Sequence, residues 1–305
     1  MNNSKLLSFC FILFSGLLFP SCEEKEVVNL PVNASNKYLF LGHTYDGPNR
    51  VDARLERLDY SQYDGLWLGG DLCSETTQRQ STLDYLDALF DLGNENTHWA
   101  VGNHDVRNGN LARITEKTGR NLFYAQTKDD LTIIVLDTNM GHVNGRGATC
   151  EDRLEQANFI QHTLDTLPPS SHLILLMHWV IWGETDTNIP CRALANNCLS
   201  SFQFICGDPS SRFPPFLYDK LVEIEQNGTE VIVVSGDGGI FTKKYEYQTQ
   251  EGIDFLISGL YASLDRDNPP TNVQVNLNPD SVLIFSHFPE KRKLDWEFVR
   301  LDDLN

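Results

Sequence analysis

Short apolar runs alternate along most of the chain with segments of helical periodicity. Eight runs predict β-strands, at residues 37–42, 65–70, 98–102, 131–136, 173–177, 231–235, 255–258 and 282–286. Four segments with apolar residues three or four positions apart predict helices, at residues 50–58, 75–92, 153–167 and 215–226. Helical segments separate the first three strands, which predicts a βαβαβ start, and the crowded later strands predict hairpins. The expected fold class is α/β, a two-sheet β-sandwich flanked by helices.

The N-terminal segment has a different pattern. Lys5 precedes an apolar run at residues 6–19, which is too short for a comfortable membrane span and is typical of a signal peptide. Ser21-Cys22 is similar to a bacterial lipobox, so we expect residues 1–21 to be a signal peptide and Cys22 to carry a lipid. The protein would then be exported and anchored by that lipid, facing the periplasm or the cell surface. Ordinary secretion, with Cys22 incidental, is the alternative.

Two further regions complete the domain organisation. Residues 22–36 would form a tether, and residues 37–305 one domain without internal repeats. Within that domain, residues 183–215 lack helix or strand periodicity and predict a cysteine-containing loop insertion. Trp179 and Trp182 lie beside this insertion, which makes it a candidate lid over a site.

The cysteines predict disulfide bonds, because an exported chain enters an oxidising compartment. One or two bridges are expected, with no pairing favoured, among Cys150, Cys191, Cys198 and Cys206. Cys73 is better explained as a small buried hydrophobic residue.

Acidic residues outnumber basic ones by 42 to 24, so the formal net charge is −18. This balance argues against a nucleic-acid partner, because binding phosphate backbones needs clustered Lys and Arg. It leaves open a small phosphorylated substrate, because a bound metal ion can invert the local field.

Unusual polar clusters follow five of the predicted strands. They are Gly42-His43-Thr44-Tyr45-Asp46, Gly69-Gly70-Asp71, Gly102-Asn103-His104-Asp105, His178-Trp179 and Gly236-Asp237-Gly238-Gly239. Ligands bind beyond the carboxyl ends of strands in open α/β sheets, so these clusters are predicted to form one site. Asp137-Thr138-Asn139 also ends a strand, with His142 beyond it, and either lines the same pocket or forms a structural turn.

The series of clusters resembles the calcineurin-like metallophosphoesterase family. The motifs of that family are Asp-x-His, Gly-Asp, Gly-Asn-His-Asp/Glu, a lone His and Gly-His-x-His, each at a strand end and in that order. The resemblance spans residues 38–303 and implies a helix-flanked β-sandwich. It further implies a metal-dependent phosphoesterase with one or two ions of Mn, Zn or Fe. Such an enzyme hydrolyses a phosphomonoester or phosphodiester with a hydroxide that the metal activates.

The resemblance also implies roles for individual residues. Asp71 corresponds to the carboxylate that bridges two metal ions, and Asn103, His178 and Asp237 would complete the second metal site. Among the remaining residues, His104 would face the scissile phosphate as general acid or charge stabiliser, with Asp105 orienting its imidazole. Arg107 would either bind the phosphate or form a surface salt bridge.

The first and last motifs depart from the family pattern. His43 and Tyr45 stand where the family has Asp and His, and they are expected to be metal ligands, with Asp46 as a substitute. Gly239 stands where the family has its last His and offers no side-chain ligand. Three outcomes follow: an altered two-metal site, a one-metal enzyme, or a catalytically silent phosphate- or glycan-binding surface lipoprotein.

Overall fold

The computed structural model describes residues 35–107, 109–140, 147–183, 185–186, 188–262, 267–268 and 276–304. The predicted signal peptide, the predicted lipidation site Cys22 and His142 lie outside these residues, as does nearly all of the predicted tether. Within the described ranges, no helix is both long enough and apolar enough to cross a membrane.

Eleven strands occur in the described part of the chain. They are β1 (Asn36–Leu41), β2 (Gly65–Leu68), β3 (Thr97–Trp99), β4 (Tyr124–Lys128), β5 (Leu131–Val135), β6 (His172–Met177), β7 (Glu230–Ser235), β8 (Lys244–Gln248), β9 (Asp254–Ser258), β10 (Ser281–Phe288) and β11 (Lys293–Arg300). The α-helices are α1 (Gln80–Phe90), α2 (Asn103–Val106), α3 (Ala112–Thr118), α4 (Cys150–Asp165), α5 (Cys191–Leu194) and α6 (Asp219–Gln226). A π-helical turn (Pro214–Tyr218) precedes α6. Short 3₁₀ turns cover Leu55–Arg57, Tyr60–Gln62, Pro209–Ser211, Pro289–Lys291 and Leu301–Leu304.

The strands form two sheets. The first sheet has the order β11-β10-β1-β2-β3, with β1, β2 and β3 parallel to one another. The second has the order β4-β5-β6-β7-β9-β8, with four parallel central strands and an antiparallel strand at each edge. Helices flank both sheets, so the predicted two-sheet sandwich is confirmed.

Apolar side chains on both faces of the central strands build the core. In β6, Ile174 and Leu176 belong to the cluster between the two sheets, together with Phe40 and Trp67 of the first sheet. The alternate residues of β6, such as Leu175, belong instead to the cluster that includes α4 and α6 residues on the outer face. A strand buried on both faces needs a continuous apolar run, which is why these central strands were predictable.

The polar edge strands and one helix were not predicted correctly. Strands β4, β8 and β11 carry alternating polar residues and stay partly exposed, so no continuous apolar run marks them. The helix predicted at residues 50–58 is wrong, since only a 3₁₀ turn forms there. Arg54 in that segment forms ion pairs with three carboxylates, those of Asp52, Asp280 and Asp302.

The connection from β1 to β2 therefore departs from the expected βαβαβ start. Residues 42–64, all described, contain 3₁₀ turns and no α-helix, whereas α1 does connect β2 to β3. Helix α1 starts at Gln80 and is shorter than the segment predicted at residues 75–92.

A disulfide bond attaches the insertion at residues 183–215 to the domain. Cys150, at the start of α4, is bonded to Cys206, which confirms one of the expected bridges. Cys198 is also disulfide-bonded, while Cys73 is a free, buried thiol. Trp179 and Trp182 are completely buried, and the indole N–H of Trp182 donates to the hydroxyl of Ser235. Both tryptophans are therefore core residues and not part of an exposed lid.

Candidate metal centre

The two sheets touch through backbone atoms at the end where the polar clusters lie. A Cβ atom added to Gly236, just after β7, would lie 2.1 Å from the carbonyl oxygen of Gly69, just after β2. Only glycine permits this approach, which brings the loops that follow β1, β2 and β3 next to those that follow β6 and β7.

Two of the candidate ligands lie on turns with unusual backbone geometry. His43 and Asp71 have φ angles of 52° and 56°, in the left-handed region that residues other than glycine seldom occupy. The turn at His43 is held by its backbone N–H, which donates to the Gly70 carbonyl at 3.0 Å. Strained residues of this kind concentrate at functional sites, where the surrounding structure holds them in place.

The side chains of four candidate ligands converge in a buried cluster. Asp71 lies between two imidazoles, with Oδ1 3.5 Å from Nε2 of His178 and Oδ2 4.0 Å from Nε2 of His43. Asp237 Oδ1 is 3.7 Å from the same His178 nitrogen. Ligand atoms of His43, Asp71 and Asp237 all lie within 4.8 Å of one another. The prediction that these strand ends meet at one site is thereby supported.

The orientation of the imidazoles fits a bound cation. Nδ1 of His43 is 2.9 Å from the Leu260 carbonyl, and Nδ1 of His178 is 2.7 Å from the Gly69 carbonyl. A carbonyl only accepts, so both Nδ1 atoms carry protons, and the Nε2 atoms of both rings face the carboxylates. Among the described residues, neither His178 Nε2 nor Asp237 Oδ1 has a hydrogen-bond partner. Buried nitrogen and oxygen atoms that face one another in this way can serve as the donor set of a metal ion.

Without a metal ion, burial and neighbouring charges strongly shift the pKa values of the side chains in the cluster. Burial favours neutral His178, but Asp71 and Asp237 outweigh that effect and raise its pKa to about 10. Burial raises the pKa of Asp237 to about 7 despite the nearby His178. Burial also lowers the pKa of His43 to about 4, although Asp71 opposes this shift. Perturbation by burial together with specific charged neighbours is typical of functional sites.

Asn103 and Tyr45 lie beside this cluster with different surroundings. Asn103 opens α2, and its Oδ1 accepts the indole N–H of Trp179 at 2.9 Å, which leaves one lone pair for a ligand role. The ring of Tyr45 packs between those of His43 and His104, with centroid distances of 4.6 and 4.8 Å. Burial raises the pKa of Tyr45 to about 12, so its phenol is protonated near neutral pH as long as no metal ion is bound.

Gly239 has no room for the ligand that the family has at this position. Its φ angle is +112°, and an added Cβ atom would lie 2.1 Å from the Leu260 carbonyl oxygen. That same carbonyl is the partner of His43 Nδ1. The contact that orients His43 therefore occupies the space that a side chain at position 239 would need.

The role predicted for Asp105 is wrong. Its carboxylate does not orient the imidazole of His104 but accepts the backbone N–H groups of Asp71, Leu72 and Gly102 at 2.8 to 2.9 Å. Thr76 also donates its hydroxyl to Asp105, at 2.6 Å. Asp105 is completely buried and shapes the turn that carries Asp71, so it is a positioning residue.

The backbone of His104 contacts the cluster, and the imidazole ring of His104 contacts Arg107. The backbone N–H of His104 donates to Asp71 Oδ1 at 2.8 Å. Nδ1 of the His104 ring lies 2.6 Å from a guanidinium nitrogen of Arg107 and 3.2 Å from the Ser74 carbonyl oxygen. The Arg107 contact requires Nδ1 to accept, whereas the Ser74 contact requires it to donate, and the Arg107 contact is the shorter of the two. Burial lowers the pKa of His104, although Asp71 opposes this. Arg107 is thus hydrogen-bonded to the ring of His104, and its binding to phosphate stays a prediction.

Sequence reasoning missed two asparagines of the insertion, Asn196 and Asn197, which contact the Asp237 loop. Asn197 donates two hydrogen bonds to Asp237 Oδ2. No motif marks these residues, because they are distant in sequence from the residues they contact. The turn at 137–139 is buried, and the hydroxyl of Thr138 accepts the backbone N–H of Trp179, which favours a structural turn.

Comparison with known proteins supports the fold. No family model matches this sequence, and no curated protein matches it either. The crystal structure of a dimetal phosphatase from Danio rerio aligns with 87% of this chain and 96% of its own, at 12% identity and a TM-score of 0.52. The chain therefore has the fold of a dimetal phosphatase.

A second structure aligns over a similar length but much less closely. A metallophosphoesterase from Sphaerobacter thermophilus covers 87% of this chain and 88% of its own, at 10% identity and a TM-score of 0.32.

Proposed function

We propose that this protein is a metal-dependent phosphoesterase that hydrolyses a small phosphomonoester or phosphodiester. The observation that carries the proposal is the buried convergence of His43, Asp71 and Asp237 with His178. Two unpartnered acceptor atoms in this cluster point at each other, which a cation between them would satisfy. The fold shared with a dimetal phosphatase supports the same chemistry.

The donor set suits a divalent cation such as Mn, Zn or Fe. Imidazole and carboxylate ligands are provided by His43, Asp71, His178 and Asp237, with Asn103 adjacent. When bound, such a cation supplies Lewis-acid charge neutralisation to a phosphoester and activates water for attack. Because Gly239 provides no side-chain ligand, we propose one fully ligated ion in each chain, which is the one-metal outcome.

His104 is the proposed general acid. In the proposed tautomer, Nδ1 accepts from Arg107, which is its shorter contact, and Nε2 carries the proton that the leaving oxygen requires. Its backbone N–H is bound to the central ligand Asp71, which fixes the ring close to the metal cluster. Arg107 would keep this tautomer in place and add positive charge near an anionic substrate.

Export is a separate part of the proposal. The apolar run at residues 6–19 and the Ser21-Cys22 pair support cleavage after residue 21 and lipidation of Cys22. The disulfide between Cys150 and Cys206 is consistent with an oxidising compartment. Mass spectrometry of the N-terminal peptide from membranes of the native cell would test this, since an unmodified Cys22 or an intact signal segment would contradict it.

The function is tested by measuring metal content and hydrolysis together. The purified protein is assayed with generic phosphomonoesters and phosphodiesters in the presence of Mn, Zn, Fe and Mg, beside the variant Asp71→Asn. We expect about one metal ion per chain, turnover by the wild type and little turnover by the variant. Absence of both metal and turnover in the wild type would overturn the proposal, and full activity of the variant would overturn the assigned site.

One feature favours a second candidate, a catalytically silent phosphate- or glycan-binding protein. The carbonyl of Leu260 fills the position of the last family ligand, so the first metal site is incomplete. In that case, the same assay gives bound metal or bound phosphate without turnover of any ester.

A further inference from the structure

The insertion at residues 183–215 reaches the metal cluster through two consecutive asparagines. The backbone N–H of Asn196 donates to the Asp237 carbonyl at 2.8 Å, and its side-chain amide donates to the Gly238 carbonyl at 3.0 Å. Its side-chain oxygen accepts the backbone N–H of Ile240 at 3.1 Å. Asn196 thus fixes the backbone of the loop that follows β7 on both sides of Gly239.

Asn197 fixes the side chain of Asp237 in the same loop. Its backbone N–H and its amide Nδ2 both donate to Asp237 Oδ2, at 2.7 and 3.0 Å. The other oxygen, Oδ1, has no hydrogen-bond partner in the described ranges and lies 3.7 Å from Nε2 of His178. One carboxylate oxygen is therefore saturated by Asn197, and the other is left for the cluster.

The asparagine pair is itself held in place by covalent and backbone contacts. Cys198 follows Asn197 directly and is disulfide-bonded. The next residue, Leu199, donates its backbone N–H to the Val180 carbonyl at 2.8 Å, only two residues beyond His178. The insertion is thus anchored to the same strand end that supplies His178, so Asn197 and His178 have a fixed spatial relation.

We infer that Asn197 is a positioning residue of the metal centre, which turns Asp237 Oδ1 toward the cation by occupying Oδ2. The inference rests on the proposed metal-dependent function. Hydrogen bonds to a ligating carboxylate fix its orientation, and losing such a partner typically lowers metal affinity about 10- to 100-fold. The insertion, for which the sequence suggested a role as a lid, would then be an integral part of the metal site.

The experiment measures Mn²⁺ affinity by calorimetry in the purified full chain. Asn197→Ala removes one donor, and Asn197→Asp keeps the shape of the side chain but replaces the donor with an acceptor. We expect the dissociation constant to rise about tenfold in the first variant and more in the second. The matched control is Asn94→Ala, because the exposed Asn94 also donates its amide to a carboxylate, that of Asp91, far from the cluster.

A double-mutant cycle separates a positioning role from general structural support. If Asn197 acts only through Asp237, Asn197→Ala lowers Mn²⁺ affinity no further when combined with Asp237→Asn. The absorption spectrum of the Co²⁺-loaded protein adds a readout of ligand geometry, and we expect it to change in Asn197→Ala but not in Asn94→Ala. Circular dichroism of the metal-free variants shows whether each one is folded.

The outcomes distinguish the two proposals. A wild type that binds no metal overturns the metal centre itself, together with this inference. A wild type that binds Mn²⁺, with both Asn197 variants binding equally well, leaves the metal centre standing and overturns the role of Asn197. Additive losses in the cycle also overturn it, because Asn197 would then act independently of Asp237.

Discussion

Asp105 holds Asp71 in place: its Oδ2 accepts the backbone N–H of Asp71 at 2.8 Å, while the side chain of Asp71 faces the two histidines. The same carboxylate also accepts the N–H groups of Leu72 and Gly102. One buried acid thus fixes the left-handed turn from which another acid projects. Burial and the charge of Asp71 raise the pKa of Asp105 to about 6, although its donors oppose this shift.

We expect Asp105→Ala to destabilise the protein strongly. Three buried backbone N–H groups lose their acceptor, and each such group costs about 1–3 kcal/mol, so the free energy of unfolding should fall by at least about 3 kcal/mol. Urea denaturation of the metal-free protein measures this. The control is Asp59→Ala, which removes an exposed carboxylate with two local bonds to Ser61 and should cost about 1 kcal/mol or less. Equal losses in both variants would contradict the role of Asp105.

We expect a side chain at position 239 to destabilise the protein and to leave the missing ligand unrestored. Gly239→Ala places a Cβ atom against the Leu260 carbonyl, whereas Gly228, with a similar φ of +92°, has open space around it. Both alanine variants carry backbone strain, so their difference isolates the steric contact. Gly239→Ala should lower the free energy of unfolding by about 2 kcal/mol more than Gly228→Ala. In addition, metal analysis of Gly239→His should show no second ion, and a gain of one would contradict this explanation.

His104→Asn tests the proposed general acid. The backbone N–H that binds Asp71 is retained, so Mn²⁺ affinity should change by less than about threefold, while kcat should fall about 10²- to 10⁴-fold on esters with poor leaving groups. An ester with an acidic leaving alcohol needs no protonation and should be affected much less. Steady-state kinetics on the two esters gives the comparison, and equal losses on both would count against proton donation by His104.

Stability is expected to fall as the pH falls from 6.5 to 5, partly because of His98. This buried ring has its pKa lowered to about 3, by burial first and by Arg120 and Lys128 second. The unfolded chain therefore takes up a proton below pH 6.5 that the folded chain does not bind. The stability contribution is complete above pH 6.5 and is lost as the pH falls toward 3, with a slope of up to about 1.4 kcal/mol per pH unit.

Urea denaturation at several pH values between 5 and 6.5 measures this slope. The slope should decrease in His98→Gln and remain unchanged in His162→Gln, which alters an exposed histidine of α4. If the His98 variant kept the full slope, the proton uptake would have to come from another group.

The sequence was most informative where the environment of a segment accepts only one class of residue. The apolar runs of β6 and β7 mark strands buried on both faces, and the polar residues that follow them mark the site. The edge strand β11 escaped prediction, because its pleat exposes alternate residues and leaves no continuous apolar run. The segment at 50–58 has helical spacing, but the ion pairs of Arg54 with Asp280 and Asp302 join regions remote in sequence.

The residues of the candidate site were predictable from the sequence, but their hydrogen-bond partners were not. His43, Asp71, His178 and Asp237 could be identified because each follows a strand, and parallel strands end at the same edge. The partners of Asp105 could not be inferred, since on sequence alone a neighbouring histidine N–H and a distant backbone N–H are equally plausible donors to its carboxylate. Asn197 carries no local signal, because its contact depends on how the disulfide-bonded insertion folds back over β7.

The backbone contact between Gly69 and Gly236 brings the two sheets together where the candidate ligands lie, which affects how strongly the sheets are held to each other. Asp71 extends from one sheet, and His178 and Asp237 extend from the other, so a cation held by all three is a cross-link between the two halves of the domain. Chelation of the cation would then weaken the association of the two sheets as well as abolish the proposed hydrolysis. At a free metal concentration 100 times the dissociation constant, occupancy adds about 2.7 kcal/mol to the free energy of unfolding.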